Sequence, residues 1–432
     1  MGQTQRIVST VVSCLVALST VLFAQRPSQS DSTTSSQTQQ RFPGELRAVP
    51  IPPIDEETAK ERRSAMELFE QGKREEALPL FEKVVAKVPN DIVAQERLGS
   101  CILSVADASI DPEVRKAGRV RARKEFLRAK ELGDNSDLVS AMLAGPEDGS
   151  DPKFSGNADA DRYMQEGERA FAANKFDEAK DQYLKALLIN PNLYFAALFI
   201  GDVYFKKGDA LSAGEWFARA IQINGDQETA YRYWGDVLLK TGKVGAARDK
   251  YIQAVICNPY DQHAWSGVNN YLITMKKAPN WRHIKAPGSV TVSGSQTNIN
   301  LDPSTLGKND GSSAWIIYPM SHALWMREKF KKEFPSEPQY RHTLKEESES
   351  LSMVADSAEA LSSGKSGKPP EKLNDDLKFL VMLRKAGFLE SYILITNPDK
   401  DITRDYPSYR SAHRDLLVRY LNEVVVPPAP TT

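Results

Sequence analysis
The sequence predicts an all-α chain: a solenoid of helix–turn–helix repeats followed by a helical C-terminal domain. Three observations carry this. Small and aromatic residues recur 34 positions apart between residues 160 and 275, and a poorer copy of the pattern precedes them. Apolar residues then return at steps of three and four beyond residue 312. Periods of this length mark stacked helix pairs, because no single pair hides its apolar stripe alone.

The repeat is explicit. Gly167, Gly201 and Gly235 lie 34 residues apart, as do Ala179, Ala213 and Ala247, then Tyr183, Phe217 and Tyr251, then Ala186, Ala220 and Ala254. Pro191 and Pro259 close the first and third copies, and Gly225 stands in the second. A glycine, then Ala-x3-aromatic, then a late proline at this period resembles the tetratricopeptide repeat (TPR) family. The resemblance implies two antiparallel helices per copy, with glycine and alanine where helices cross most closely. Asn174-Lys175, Lys207-Gly208-Asp209 and Thr241-Gly242-Lys243 supply the turns between them. A half copy, Gln262–Met275, carries Trp265 and Leu272 and reads as a cap. Position seven is apolar at Ile200 and Trp234 but is Glu166 in the first copy, as in an end repeat with an exposed side.

The earlier array repeats the signature less fully. Ala77-x3-Phe81 follows Gly72; Leu98-Gly99 restarts the helix; Ala122, Phe126 and Ala129 complete it after a loop at Asp107–Pro112. Gly145-Pro146-Glu147-Asp148-Gly149 then reads as turn and linker. The expected organisation is a signal peptide (1–24), a disordered polar linker (25–57), TPR-like repeats with an insertion (58–133) and a spacer (134–157). A TPR array with capping helix (158–278), a linker or short hairpin (279–311), a helical C-terminal domain (312–425) and a tail (426–432) follow.

The first segment points to export. Arg6 precedes an apolar run from Ile7 to Phe23, closed by Ala24 and followed by polar residues. The run is rich in hydroxyls and shorter than the ~20 apolar residues of a membrane span, although an uncleaved anchor is the alternative. Val11-Val12-Ser13-Cys14 resembles a lipoprotein box, but too little apolar sequence precedes it. The expected location is periplasmic or cell-envelope, or else extracellular or membrane-anchored. Cys101 and Cys257 read as small buried apolar residues rather than a disulfide framework. Lysine plus arginine number 56 against 57 acids, which gives no field for nucleic acid or an acidic membrane surface.

In the C-terminal third, Tyr340, Leu344, Glu347, Leu351, Val354, Ala358 and Leu361 share one face of a long helix, polar only at Glu347. A second helix starts near Leu373, with Gly387 as a residue that closes or kinks it; Tyr409, Ala412, Leu416, Tyr420 and Leu421 mark the last. Chemistry is sparse. No His-Glu-x-x-His, paired-cysteine motif or acidic calcium loop occurs, and the five histidines are His263, His283, His322, His342 and His413. His342 and Glu346 stand four apart on the expected helix, two ligands without a third. His413 reads as a partly buried histidine beside an apolar stripe, and Glu347 as a charge that pairs locally. No metal, cofactor or catalytic residue is therefore expected, and the chain is read as a non-enzyme. The alternatives are an enzyme that pairs Glu347 with Glu328 or Asp356, with the repeats recruiting substrate, and a self-assembling homo-oligomer.

The TPR resemblance also implies a concave groove lined by fixed motif positions. Transferred to this chain, these are Asp161, Met164, Glu168 and Phe171 in the first copy. The second gives Phe195, Leu198, Asp202, Phe205 and Lys206, and the third Arg232, Asp236, Leu239 and Lys240; His263 and Asn270 extend the line. Phe171, Phe195, Leu198 and Phe205 are expected as exposed anchors. Glu168, Asp202 and Asp236 form an acidic ladder, so the implied partner is a protein or peptide with apolar anchors and basic residues.

Overall fold
The computed structural model describes residues 54–428 except 110, 294–295, 306, 365–369, 371 and 397. The signal peptide, residues 25–53 of the linker and residues 429–432 of the tail lie outside the described residues. The chain divides into two compact units, Met1–Val237 and Leu238–Thr432.

The first unit opens with α1 (Glu56–Glu70), α2 (Arg74–Lys87), α3 (Ile92–Asp107) and α4 (Pro112–Glu131), each packed on the next. Aspartates start three of them: Asp55, Asp91 and Asp111 accept hydrogen bonds from the Thr58, Ala94 and Glu113 amides, donors that the first helical turn leaves open. Ala77, Phe81, Cys101, Phe126 and Ala129 are buried at its core. Burial pushes the Cys101 thiol up to about 12.

The spacer is folded back rather than strung out. It holds a short helix, α5 (Asp137–Leu143). Arg115, only 4% exposed, donates to both carboxylate oxygens of Asp151, which also pairs with Arg119. Arg123 donates to the Leu143 carbonyl at 2.6 Å. Linker composition therefore did not produce a free linker, because arginines on α4 hold its carboxylate and carbonyls.

The repeats follow as α6 (Ala158–Ala172), α7 (Phe176–Ile189), α8 (Tyr194–Lys206), α9 (Ala210–Ile223) and α10 (Glu228–Lys240), which runs across the boundary between units. The turns fall where the sequence puts them, with positive φ at Asn174 and Gly208. Ala179, Ala186, Ala213 and Ala220 are fully buried, as are Tyr183 and Phe217. A Cβ on Gly167 would lie 2.3 Å from the Tyr183 ring, and one on Gly201 2.6 Å from Phe217. Each ring also meets the next repeat edge-on, Tyr183 with Phe199 and Phe217 with Tyr233. One aromatic thus closes its own helix pair and joins it to the following one.

The second unit contains α11 (Val244–Cys257), α12 (Gln262–Thr274), an antiparallel hairpin of β1 (Ser289–Ser293) and β2 (Gln296–Asn300), and five further helices. These are α13 (Ile317–Leu324), continued through a π turn to Glu333, α14 (Leu344–Ser362), α15 (Asp375–Ala386), α16 (Leu389–Thr396) and α17 (Tyr406–Tyr420). The C-terminal helices share one core with α11 and α12. Arg248 of α11 donates to the carbonyls of Asn422, Val426 and Pro427, Tyr406 to the Ile256 carbonyl, and Arg410 to that of Cys257.

Three helix expectations shift here. Tyr340 lies outside α14, which starts at Leu344 because the Thr343 side chain caps it. Leu373 precedes α15, whose cap is Asn374, while Gly387 closes that helix at φ 72°. In α17 the residue His413 leaves helical geometry at φ −133°. The buried set beyond it is therefore Leu417 and Tyr420, with Ala412 and His413 exposed. His413 packs on the Tyr409 ring at 4.7 Å.

The glycine contact sets a stability test. Gly201→Ala must displace a fully buried ring and is expected to cost about 1–3 kcal/mol. Gly245→Ala, where no atom lies within 4 Å of the added Cβ, is expected to be neutral or to stabilise by roughly 0.5–1 kcal/mol. Urea midpoints of the two variants against the parent measure the contrast.

Candidate functional site
In the first unit the expected groove is partly filled by the chain itself. Phe154 of the spacer is buried, with its ring 6.0 Å from those of Phe195 and Phe199. The amides of Phe154 and Ser155 and the Ser155 hydroxyl all donate to one oxygen of Asp161. Gln165 donates to the Pro152 carbonyl. Asp161, Met164, Phe195, Leu198 and Asp202 are all buried. The expectation that Phe195 and Leu198 are exposed anchors is thus corrected: both lie in the core cluster that contains Phe154. The remaining positions reach the surface. Glu168, Phe171, Phe205, Lys206, Arg232 and Asp236 are half-buried. In the second unit Leu239 and His263 are half-buried, and Lys240 and Asn270 exposed.

The acids of the ladder are unusual. Burial pushes the Glu168 carboxyl up to about 7, even though the Tyr183 hydroxyl donates to it at 2.5 Å; the negative charge of Asp202 adds to the rise. Burial likewise pushes Asp202 up to about 6, with Lys206 opposing and Asp236 adding. Oδ2 of Asp202 has no hydrogen-bond partner. Arg232 is held by Glu228 at 3.1 Å, one turn away.

The second unit brings together residues that sequence reasoning kept apart. His322 and Tyr318 stand one turn apart on α13, and Glu346 and Glu347 occupy the first turn of α14, where the helix dipole favours carboxylates. His342 is not on that helix; it sits just before the Thr343 cap. Arg341 fixes the preceding loop through Glu337 and Asp405. Ser321 and Ser350 join α13 to α14 at 2.8 Å.

His322 contacts Glu346 through Nδ1 at 2.9 Å and Glu347 through Nε2 at 3.1 Å. The Nε2 atom of His342 reaches the same Glu347 oxygen at 3.2 Å, while its Nδ1 meets Asp399. The hydroxyls of Tyr318 and Tyr340 donate to Glu347 and Glu346, each at 2.8 Å. Burial alone would raise the Glu347 carboxyl, but hydrogen bonds from both imidazoles and their charge hold it near about 2. Burial pulls His342 down, yet Asp399 and Glu347 raise it to about 10.

The expectation that Glu347 pairs locally is corrected: its partners Tyr318 and His322 come from α13 and His342 from the loop before α14. Glu328 and Asp356, the companions first considered, pair instead with Lys332 and Arg384. Tyr318 and Asp399 went unnoticed, and His322 was not joined to Glu347; the one sequence signal was a tyrosine and a histidine four apart on one helical face.

The stacked, glycine-closed helix pairs define a repeat solenoid. It is a tetratricopeptide repeat solenoid, and the profile of that family, described as "Tetratricopeptide repeat", matches residues 164–228. No curated protein matches the chain. Among solved structures it is similar to the first TPR domain of Spaghetti (RPAP3) bound to an HSP90 peptide, at 19% identity and TM-score 0.26, covering 29% of this chain and 98% of that one. PilF of Pseudomonas aeruginosa matches at 14% identity and TM-score 0.25, over 51% of this chain and 84% of that one. TTC0263, a TPR protein of Thermus thermophilus, matches at 20% identity and TM-score 0.25, over 50% of this chain and 99% of that one.

The raised carboxyl of Glu168 has a consequence for stability. A folded-state value above the unfolded one favours folding at low pH, and that contribution is lost as pH rises through the folded value. Between about pH 4.5 and 7 the parent is expected to lose on the order of 1–2 kcal/mol from this group. Glu168→Gln, which keeps an acceptor for Tyr183, should flatten the profile. Urea midpoints between pH 4.5 and 8 check it.

Proposed function
We propose that the TPR array is a non-catalytic scaffold in the cell envelope that holds a segment of a protein partner. One observation carries the reading. Asp202 is buried and Glu168 half-buried, both with raised carboxyls, and one Asp202 oxygen lacks a donor. Such groups gain most from a cationic side chain delivered with a partner, because burying an ion without one is costly. Phe171 and Phe205, half-buried on the same repeats, supply apolar contact. The partner segment accordingly carries apolar anchors with one or two lysines or arginines, and binds along the C-terminal halves of α6 and α8. Their N-terminal halves are taken by Phe154 and Ser155. The envelope location rests on the export-type composition of residues 1–24.

Pull-down from envelope extract with the full chain tests this. Phe171→Ala/Phe205→Ala, checked for native circular dichroism, is expected to lose at least one partner that the parent retains. Retention of every partner by the folded double variant removes the groove from consideration. For a captured partner, affinity should rise between pH 5 and 8 in the parent and much less in Glu168→Gln, since docking of a cation expels the carboxyl proton.

A further inference from the structure
We propose that His322, His342 and Glu346, with Glu347 beside them, bind one divalent transition-metal ion, a second function independent of the groove. The donor set is the first argument. Two imidazoles with carboxylates suit borderline cations such as zinc and iron(II), rather than the hard ions that prefer all-oxygen cages. One nitrogen from each histidine and one Glu346 oxygen lie within 4.8 Å of one another. The Nε2 atoms of His322 and His342 stand 3.1 and 3.2 Å from a single Glu347 oxygen. Donors each about 2.0–2.2 Å from a shared tetrahedral ion lie roughly 3.3–3.6 Å apart, so a modest closure places one donor each from His322, His342 and Glu346 on one centre.

Crowding is the second argument. The Tyr318 hydroxyl and the Nε2 atoms of His322 and His342 all converge on one Glu347 oxygen. A cation that takes a ring nitrogen as its ligand relieves that crowding.

Glu346 supplies the third argument. It is fully buried, and its Oε2 has no hydrogen-bond partner. A dry carboxylate oxygen with nothing to accept from is a ligand atom held ready. The outer contacts match: Asp399 holds Nδ1 of His342, which leaves Nε2 facing inward, and tyrosine hydroxyls orient both glutamates. Carboxylate support behind a ligating histidine fixes its tautomer and orientation. The histidine side chains are 12% and 22% exposed, so an ion enters from their side.

The test uses the full chain, stripped with EDTA and passed through a sizing column after addition of Zn(II), Co(II) or, without oxygen, Fe(II). Metal content by plasma mass spectrometry is expected to reach about one equivalent per chain for at least one ion. The Co(II) form should show visible bands of imidazole-ligated cobalt, and the metal should raise the melting temperature. His342→Ala and Glu346→Gln are expected to lose the stoichiometric ion. Asp399→Asn, a positioning change, should weaken binding roughly 10–100-fold, and His283→Ala, a histidine outside the cluster, should leave it unchanged. A natively folded parent that retains none of the three ions overturns the proposal and leaves a buried ion-pair cluster. So does undiminished binding in folded His342→Ala or Glu346→Gln. If those variants unfold, the Co(II) spectrum of the parent decides alone: the spectrum of hydrated cobalt counts against the site.

Discussion
In three helix pairs of the first unit an aromatic ring lies against a bare Cα, and the spacing of those pairs is set by that contact. Tyr183 on Gly167 and Phe217 on Gly201 bring the two helices of a pair closer than any side chain would permit. The buried alanines beside them continue the close approach. Because the same rings meet Phe199 and Tyr233 of the following repeat, helix spacing within a pair and stacking between pairs are one constraint. Phe126, 3.0 Å from where a Cβ on Gly99 would stand, repeats the arrangement in the earlier array.

Stacking leaves an open apolar face at each end of such an array. In the second unit α11 and α12 do not end the core; α14 to α17 extend it. The arrangement is locked less by side-chain pairs than by backbone carbonyls. Arg248, Tyr406 and Arg410 satisfy acceptors at the end of α11 and just beyond α17. Carbonyls at helix ends lack intrahelical donors, so long polar side chains that supply them fix where neighbouring helices terminate.

The repeat was legible because its physics is periodic: a close crossing every 34 residues needs a small residue every 34 residues. The groove was less so. Motif positions say which way Phe195 points, but nothing periodic announces that Phe154, 41 residues earlier, will cover it. The histidine–glutamate cluster was illegible for a related reason. His322 and Asp399 come from separate elements, and the reading that joined His342 to Glu346 relied on a helix that Thr343 caps one residue too late to include the histidine. Glu346 and Glu347 are both buried, because α13 and the loop before α14 cover the first turn from two sides.

The deep placement of Cys101 has a practical side. A thiol raised to about 12 is almost wholly protonated at neutral pH, and a protonated, occluded sulfur reacts with neither alkylating agents nor disulfides. Its labelling rate therefore clocks the opening of the first four helices. A single native atom serves as a reporter of local unfolding, with no probe attached.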